Sequence, residues 1–416
     1  SPVTSPTSSS AGAAPRPEPA WAGRQVVLGV SGGIASYKSC LLARRLTEAG
    51  ARVDVILTQG AAEFVRPLTF EALTGRAVLT SLWEPGTALT HIRLAQTADL
   101  IVVAPATANV LARVAAGLGD DLLTTLLLAR TVPALLAPAM NDVMYANEAT
   151  QANLATLKAR GFAFVGPETG ALAEGPSDQP GRMSEPETIL AHAERLLRRG
   201  GKLSGRRVIV TAGPTREPID PVRVVTNRSS GKMGYRLAEA AWARGAEVVL
   251  ISGPSGLTEP VGVDMRQIET TAELEACIRS ELPTADVLIM AAAPADFRPR
   301  DPSGNKRPRV EGALAIPMEP TTDILASTTA LRRPGSVTVG FALETGDALT
   351  KGRAKLERKS LDLIVVNDAL DPGAGFETDT NRVAILDREG GSRILPLASK
   401  RSVAEAILDE VEARLG

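Results

Sequence analysis

Residues 26–57 read VVLGVSGGIASYKSCLLARRLTEAGARVDVIL, and this stretch decides the fold. Residues 26–30 are mostly β-branched and apolar, and the small-residue turn Ser31-Gly32-Gly33-Ile34-Ala35-Ser36 follows them. A helical segment then runs to Ala49-Gly50, and a second apolar strand fills 53–57. Strand, tight turn, helix and strand at these lengths make a β-turn-α-β unit, which starts a parallel sheet. Further apolar runs at 100–104, 134–137 and 162–165 alternate with helical stretches at 109–116 and 151–160, each stopped by Gly. That alternation predicts α/β, a doubly wound (Rossmann-like) layer structure.

A helix over 186–199 ends in Gly200-Gly201, followed by Lys202, Leu203, Ser204 and Gly205, and a domain boundary is expected there. One domain is thus expected over 24–200 and a second over 201–416. Residues 1–23 are rich in Ser, Pro and Ala and lack the apolar stretch of a signal peptide, so they read as a disordered tail. Beyond the boundary, strands are expected at 208–211, 247–251, 287–292, 338–342 and 363–366. Helices are expected at 233–244, 272–281 and up to 359, with a hairpin within 380–397 and a last helix over 403–415. This is a second open, mostly parallel α/β sheet.

Composition narrows the function. The chain has 416 residues, more than one core usually serves, so two domains are the natural expectation. Lys plus Arg (46) nearly cancels Asp plus Glu (47), which leaves no field to attract nucleic acid or an anionic membrane. There is no apolar run long enough to span a bilayer. Cys40 and Cys277 are the only cysteines, which argues for a reducing, cytoplasmic setting and against a disulfide framework or zinc site.

Ligands of open α/β sheets bind beyond the carboxyl ends of the strands. In the first domain those places hold Gly32, Gly33 and Ser36, then Thr58 with Gln59, then Thr107 and Asn109. Small residues, hydroxyls and an amide at helix starts suit a mononucleotide phosphate. The spacing does not match the G-x-G-x-x-G dinucleotide pattern. His91 is the obvious acid/base candidate, although a lone His is more often structural. Asn141 suits a carboxylate ligand or, equally, a helix N-cap. His192, in a helix beside Arg195, reads as a solvated surface residue.

In the second domain residues 208–241 read VIVTAGPTREPIDPVRVVTNRSSGKMGYRLAEAA. Gly213 and Pro214 form one turn after a strand, and Ser229, Ser230, Gly231 and Lys232 form another at the start of an Ala-rich helix. Hydroxyls, glycine N–H groups and a Lys at a helix N-terminus suit an anion, with Asp220 and Asn227 beside them. Asp296 and Lys306 by themselves read as a turn Asp and a surface Lys.

These residues also resemble a known family. SGGIASYK, LTQGAAEFVRPLTFEALTG, THIRLAQTADLIVVAPATANVLARVAAGLGDDLL, LAPAMNDVMY and GPSDQPGRMSEP are similar to the flavodoxin-like, flavin-dependent phosphopantothenoylcysteine decarboxylases. GPTREPIDPVRVVTNRSSGKMG, AAAPADFRP, GFALET, KLERKSLDLIVVN and GFETDTNRV resemble phosphopantothenate–cysteine ligase. In this order the two halves resemble the bifunctional coenzyme A biosynthesis family of bacteria. The resemblance implies an FMN pocket containing Gly32, Gly33, Ser36, Thr58, Thr107 and Asn109, with His91 as the active-site histidine and Asn141 on the substrate carboxylate. In that family the flavin oxidises the cysteine moiety, carbon dioxide is lost, and the flavin returns the electrons.

For the second half the resemblance implies that CTP activates 4'-phosphopantothenate as an acyl-cytidylate, which cysteine then attacks. Asn227 would act on that intermediate, Lys306 would neutralise the triphosphate, and Asp296 would bind the base or Mg²⁺. Gly213, Ser229, Ser230, Gly231 and Lys232 would hold phosphate, and Ala292, Phe341, Lys355 and Lys359 would line the nucleotide pocket. A homo-oligomer is implied as well, a dodecamer of trimers through the flavin halves and dimers through the ligase halves.

The chain departs from the family pattern in three places. Leu172-Ala173-Glu174-Gly175 stands where many members have Leu-Ala-Cys-Gly, and a buried Glu174 could replace that cysteine as proton donor. Tyr145 follows Met144 in place of Trp, and Lys306-Arg307-Pro308-Arg309 keeps only the first residue of a Lys-x-Lys-Lys motif. Two alternatives follow from the departures or from non-catalytic relatives: an active ligase whose decarboxylase half is impaired, and a regulatory flavoprotein.

Overall fold

The computed structural model describes residues 20–83, 89–173, 175–308, 315–344, 346–368 and 378–416. The described residues form two compact units, one ending at Leu197 and the other starting at Arg198. Each is organised by a parallel sheet.

In the first unit, β1 (Gln25–Val30), α1 (Ser36–Glu48) and β2 (Arg52–Leu57) form the expected opening unit. α2 (Gln59–Phe64), α3 (Pro67–Thr74) and α4 (Thr90–Thr97) follow, then β3 (Leu100–Ala106), α5 (Ala108–Ala116) and α6 (Leu122–Ala129). The unit closes with β4 (Ala134–Pro138), α7 (Asp142–Ala146), α8 (Glu148–Ala159), the short edge strand β5 (Ala163–Phe164) and α9 (Pro186–Leu197). The five strands are all parallel, in the order β2-β1-β3-β4-β5, which is the flavodoxin-like arrangement. Alternate residues feed opposite faces. Val26, Leu28 and Val30 enter the core under α1, α3 and α9, while Val27, Ile101 and Val103 enter the core under α4, α5, α6 and α8. Both faces are therefore dry, and each fully buried Leu or Val contributes roughly 1.5–3 kcal/mol.

The folded chain starts earlier than the composition of residues 1–23 suggests. Trp21 is fully buried in the same core as Leu28, the Gly23 N–H donates to Gly50 O (3.0 Å), and the Arg24 N–H donates to Trp21 O (3.0 Å). A large apolar ring that packs into this core outweighs the Pro- and Ser-rich context that precedes it.

In the second unit β6 (Arg207–Ala212) leads to a two-stranded arm, β7 (Arg216–Pro218) and β8 (Val224–Thr226), before α10 (Lys232–Ala243). Next come β9 (Glu247–Ser252), β10 (Asp264–Gln267), α11 (Thr271–Glu281) and β11 (Val287–Met290). A second short ribbon, β12 (Phe297–Pro299) with β13 (Met318–Pro320), precedes α12 (Ile324–Ser327), β14 (Val337–Glu344), α13 (Ala348–Arg358) and β15 (Leu363–Asp368). β16 (Thr380–Asn381), β17 (Val383–Asp387), β18 (Ser392–Ile394), β19 (Ala398–Ser399) and α14 (Lys400–Arg414) complete the unit.

The main sheet runs β10-β9-β6-β11-β14-β15-β17-β18. Its first six strands are parallel and reverse direction of travel between β6 and β11, the Rossmann order. β17 and β18 add the expected antiparallel hairpin. α10 begins at Lys232, one residue before the helix expected at 233, because the preceding Gly231 takes the left-handed conformation (φ +75°) that ends the turn.

Candidate active sites

A change in the direction of strand order opens a crevice at the carboxyl edge of a parallel sheet. In the first unit that point lies between β1 and β3. Ser31 fastens the two strand ends together: its Oγ donates to Pro105 O (2.7 Å) and accepts from the Thr107 N–H (3.1 Å). Thr58 and Thr107 are the N-caps of α2 and α5, their hydroxyls accepting from the Ala61 (3.2 Å) and Val110 (3.4 Å) N–H groups. Two helix N-termini thus face the same crevice.

The crevice is a cavity of about 990 Å³, lined among others by Gly32, Gly33, Thr58, Thr107, Asn109 and Asn141. Its size is that of a pocket for a cofactor-sized ligand. Gly32 lies against the Gly60 backbone, where a Cβ would stand 2.6 Å from the Gly60 carbonyl carbon. No other residue allows that approach. Gly33 has room, since a Cβ would only touch Thr107 Cγ2 at 3.6 Å. A bare backbone cradle with capping hydroxyls fits the phosphate of a flavin mononucleotide.

Ser36 does not join them. It is fully buried, and its hydroxyl donates to Gly33 O (2.6 Å) and Ser31 O (3.0 Å), closing the turn from within. Asn141 lines the cavity and is also a helix cap, with Oδ1 accepting from Val143 (2.9 Å) and Met144 (3.3 Å) N–H groups of α7. The helix-cap reading of Asn141 is therefore observed, with the residue on the cavity wall. His91 lies in the first turn of α4, is not among the cavity-lining residues, and its buried Nδ1 has no hydrogen-bond partner among the described residues. Glu174 falls outside the described residues, although its neighbours Ala171, Leu172 and Ala173 line the cavity. His192 is half-buried rather than solvated, and burial pushes its imidazole pKa down.

Several charged groups on the cavity wall escaped the sequence reading, Lys38 and Arg113 among them. Lys38 is buried one turn after the glycine pair, donating to Met183 O (3.2 Å) and to Glu185 (2.9 Å). Burial alone would raise the Glu185 pKa, but Lys38 and Arg182 hold it below the ordinary value. Arg113 bonds to Asp121 (2.7 Å) and to Asp120. In sequence Arg113 looks like an ordinary helix-surface cation, and only the fold turns it inward.

In the second unit the corresponding point lies between β6 and β11. Residues 211–215 and 292–296 run side by side there. Thr211 Oγ1 accepts from the Ala292 N–H (3.0 Å), Gly213 O from the Ala293 N–H (2.9 Å), and Thr215 Oγ1 from the Ala295 N–H (2.9 Å). Asn227 returns from the arm and donates to Pro294 O (2.9 Å). Thr321 holds the other side, its N–H donating to Asp296 O (2.9 Å) and its hydroxyl to Ala295 O (2.6 Å). The Asp296 side chain is left exposed.

Both glycine turns of residues 208–241 meet at this place. A Cβ on Gly231 would stand 3.3 Å from the Gly213 nitrogen, and both residues have left-handed φ angles (+75° and +74°). Ser229 and Ser230 hydroxyls accept from the Gly231 (3.4 Å) and Lys232 (3.5 Å) N–H groups. The Lys232 ammonium points to Asp379 (2.8 Å), whose pKa it lowers by hydrogen bonding and charge.

Phe341 follows Gly340, the partner of Met290 in the β11/β14 register, which puts it level with Ala291 at the same edge. Lys355 pairs with Glu344 and Lys359 with Asp323 (3.0 Å), so both cations are engaged by carboxylates. Lys306 is exposed on a loop tied to the arm. The Ser303 N–H donates to Ile219 O (3.0 Å), and the Arg307 N–H donates to Asp220 Oδ2 (3.2 Å). Burial would raise the Asp220 pKa, but donors from Val222, Arg307 and Arg223 outweigh it and bring the carboxyl to about 2. Among the described residues no three His, Cys, Asp or Glu side chains converge as a metal site. None of the described helices is long and apolar enough to cross a membrane.

The two sheets and their switch-point sites define a two-domain flavoprotein. Residues 17–198 match the family Flavoprotein, and residues 203–415 match the DNA/pantothenate metabolism flavoprotein C-terminal domain. The coenzyme A biosynthesis bifunctional protein CoaBC of Vibrio cholerae is 46% identical over 398 residues, 95% of this chain and 99% of that protein. The CoaBC proteins of Bacillus subtilis and Mycobacterium tuberculosis are 45% and 47% identical, covering 94% and 93% of this chain and 97% and 96% of their own. A crystal structure of the C-terminal domain of a CoaBC protein is 37% identical over 51% of this chain and 97% of its own, with a TM-score of 0.44. The chain belongs to the CoaBC family of bifunctional coenzyme A biosynthesis proteins. It is an enzyme that pairs phosphopantothenate–cysteine ligase with phosphopantothenoylcysteine decarboxylase activity. These relatives favour neither the impaired decarboxylase nor the regulatory flavoprotein.

Proposed function

We propose that the ligase unit uses CTP with Mg²⁺, that the first unit binds FMN in the β1/β3 cavity, and that the site residues act as follows. The observation that carries the flavin assignment is the 990 Å³ cavity, with its Gly32–Gly60 cradle beneath two capped helix starts. Gly32, Gly33, Thr58, Thr107 and Asn109 take the FMN phosphate and ribityl end. Asn141 fixes the substrate carboxylate at the α7 start. FMN supplies the electron acceptance and return that decarboxylation of a cysteine carboxylate requires. Glu174 donates the proton that completes the reduced product. His91 lies off the cavity of one chain, so its acid/base part is played in the assembled homo-oligomer, a dodecamer.

In the ligase unit the phosphopantothenate carboxylate attacks the α-phosphorus of CTP and expels pyrophosphate. The cysteine amine then attacks the acyl carbon and releases CMP. Gly213, Gly231 and the Ser229-Ser230 hydroxyls receive phosphate, Lys306 neutralises triphosphate charge, and Asp296 would hold Mg²⁺, which would offset the charge of the triphosphate. Asn227, braced on Pro294 O, orients the acyl-cytidylate. Ala292 and Phe341 flank the nucleotide, while Lys355 and Lys359 border its pocket.

Three measurements on the purified full chain test this. Pyrophosphate release in the presence of phosphopantothenate and cysteine is expected from CTP and not from ATP. A flavin absorption spectrum, with FMN recovered on denaturation, is expected from the same preparation. A colourless protein that takes up no FMN overturns the cavity assignment, and preferential use of ATP overturns the nucleotide assignment. Light scattering at the mass of fewer than twelve chains removes the dodecamer.

A further inference from the structure

Asp220 takes no step in the reaction above, yet its carboxylate is fully buried at the tip of the β7–β8 arm. Its two oxygens have different tasks. Oδ1 accepts from the Val222 and Arg223 N–H groups, both at 2.9 Å, and closes the turn of the arm. Oδ2 accepts from Arg223 Nε (3.0 Å) and reaches across to the Arg307 N–H (3.2 Å). Arg223 then donates through Nη2 to Arg307 O (2.5 Å). The pair thus grips both backbone polar groups of Arg307, the residue that follows Lys306.

The Lys306 side chain itself is exposed, and a solvated lysine on a loop loses most of its attraction for an anion to freedom of position. Anchoring the adjacent peptide removes much of that freedom. Closing a four-residue turn needs Oδ1 alone; the second oxygen and the guanidinium are spent on a loop more than eighty positions away, about the sequence separation of Asp220 and Arg307.

We infer that Asp220, acting through Arg223 and the Arg307 backbone, is a positioning residue that sets Lys306 for the nucleotide triphosphate. The inference rests on the triphosphate role given to Lys306 above. The substitution Asp220→Asn separates the two tasks. The amide oxygen still closes the turn, while an NH₂ replaces Oδ2 and faces two donors, Arg223 Nε and the Arg307 N–H, so the grip is lost.

The test compares KM for CTP and for cysteine in the full chain, in K306A, in D220N and in the double variant. K306A and D220N should each raise KM for CTP by about tenfold or more, the loss of a charge-assisted contact, with KM for cysteine unchanged. The double variant should bind CTP no worse than K306A, because Asp220 works through Lys306. Trypsin should also cut the Lys306–Arg307 bond several times faster in native D220N than in the parent. If K306A leaves KM for CTP unchanged, the triphosphate role of Lys306 falls, and the inference with it. If K306A raises KM but D220N does not, if the two losses multiply, or if the tryptic rate is unchanged, the inference alone falls and Asp220 merely closes its turn.

Discussion

Gly32 and Gly60 touch backbone to backbone, so close that a Cβ on Gly32 would stand 2.6 Å from the Gly60 carbonyl carbon. That contact lets the loops after β1 and β2 share one wall of the β1/β3 cavity. Gly32→Ala must push them apart, and backbone cannot yield as a side-chain tip can. The expected outcome is a folded protein that holds FMN at least about tenfold less tightly. Flavin content after gel filtration, with circular dichroism as the folding control, checks it.

Asn141 caps α7 and lines the cavity, and two substitutions separate those tasks. Asp caps as well as Asn, so Asn141→Asp should leave stability within about 0.5 kcal/mol while placing a negative charge against the substrate carboxylate. Decarboxylation should fall at least about a hundredfold, the scale of a misplaced like charge near a bound anion. Asn141→Ala should lose about 1 kcal/mol as well. Carbon dioxide release and thermal unfolding of the two variants give the comparison; equal activity in Asp and wild type would remove Asn141 from the carboxylate site.

Glu174 is the proposed proton donor, and a carboxyl that donates a proton cannot be replaced by its amide. With Glu174→Gln, the oxidised enethiol should accumulate in place of phosphopantetheine. Mass spectrometry of the products reads this directly, and normal phosphopantetheine from the variant would relieve Glu174 of the role.

The pH dependence of the Asp220 grip has a definite sign. A carboxyl held at about 2 in the folded chain, below its ordinary 3.8, stabilises the protein at every pH above the ordinary value. That stability fades as pH falls from about 4 towards 2, when the proton is forced on. Urea midpoints of wild type and Asp220→Asn should differ by a constant amount above about pH 5 and converge below about pH 4. A gap that widens on acidification would contradict the assignment.

Glu405 is buried on α14 among three guanidiniums, those of Arg198 (2.9 Å), Arg244 (2.6 Å) and Arg401 (3.2 Å). Its pKa stays low despite burial because those hydrogen bonds and charges outweigh desolvation. Removing the acid leaves Arg244, which is nearly buried, short of its main partner, although Asp409 and Glu412 remain. Glu405→Ala should cost about 3 kcal/mol, the scale of a broken buried pair. Denaturant unfolding of the full chain measures it, and a loss below about 1 kcal/mol would mean that Asp409 and Glu412 carry the network.

Several elements were legible in the sequence for a plain reason. Strands such as 26–30 and 248–251 are buried on both faces, so continuous apolar runs between Gly turns mark them without ambiguity. The short ribbons β7–β8 and β12–β13 left no such mark. Three residues with one exposed face carry too little periodicity, and a Pro in each reads as a break. The loops at the carboxyl edges of the sheets were legible where glycine or a capping hydroxyl follows a strand, as at Gly32, Thr58, Thr107 and Gly213. Composition could not show that the Ser36 hydroxyl, of the right type in the right turn, bonds back into the turn.

From its residues alone this chain determined two mostly parallel sheets, their strand ends, and the two glycine turns of 208–241, because burial and steric need select residue types locally. Only tertiary structure decided that Gly213 and Gly231 lie against each other, that Trp21 belongs to the core, that Arg113 and Lys38 face the cavity, and that Asp220 holds the residue next to Lys306. Those relations join positions far apart in sequence, where no local preference acts. They are settled by which strands become neighbours and by what the packing then leaves room to touch.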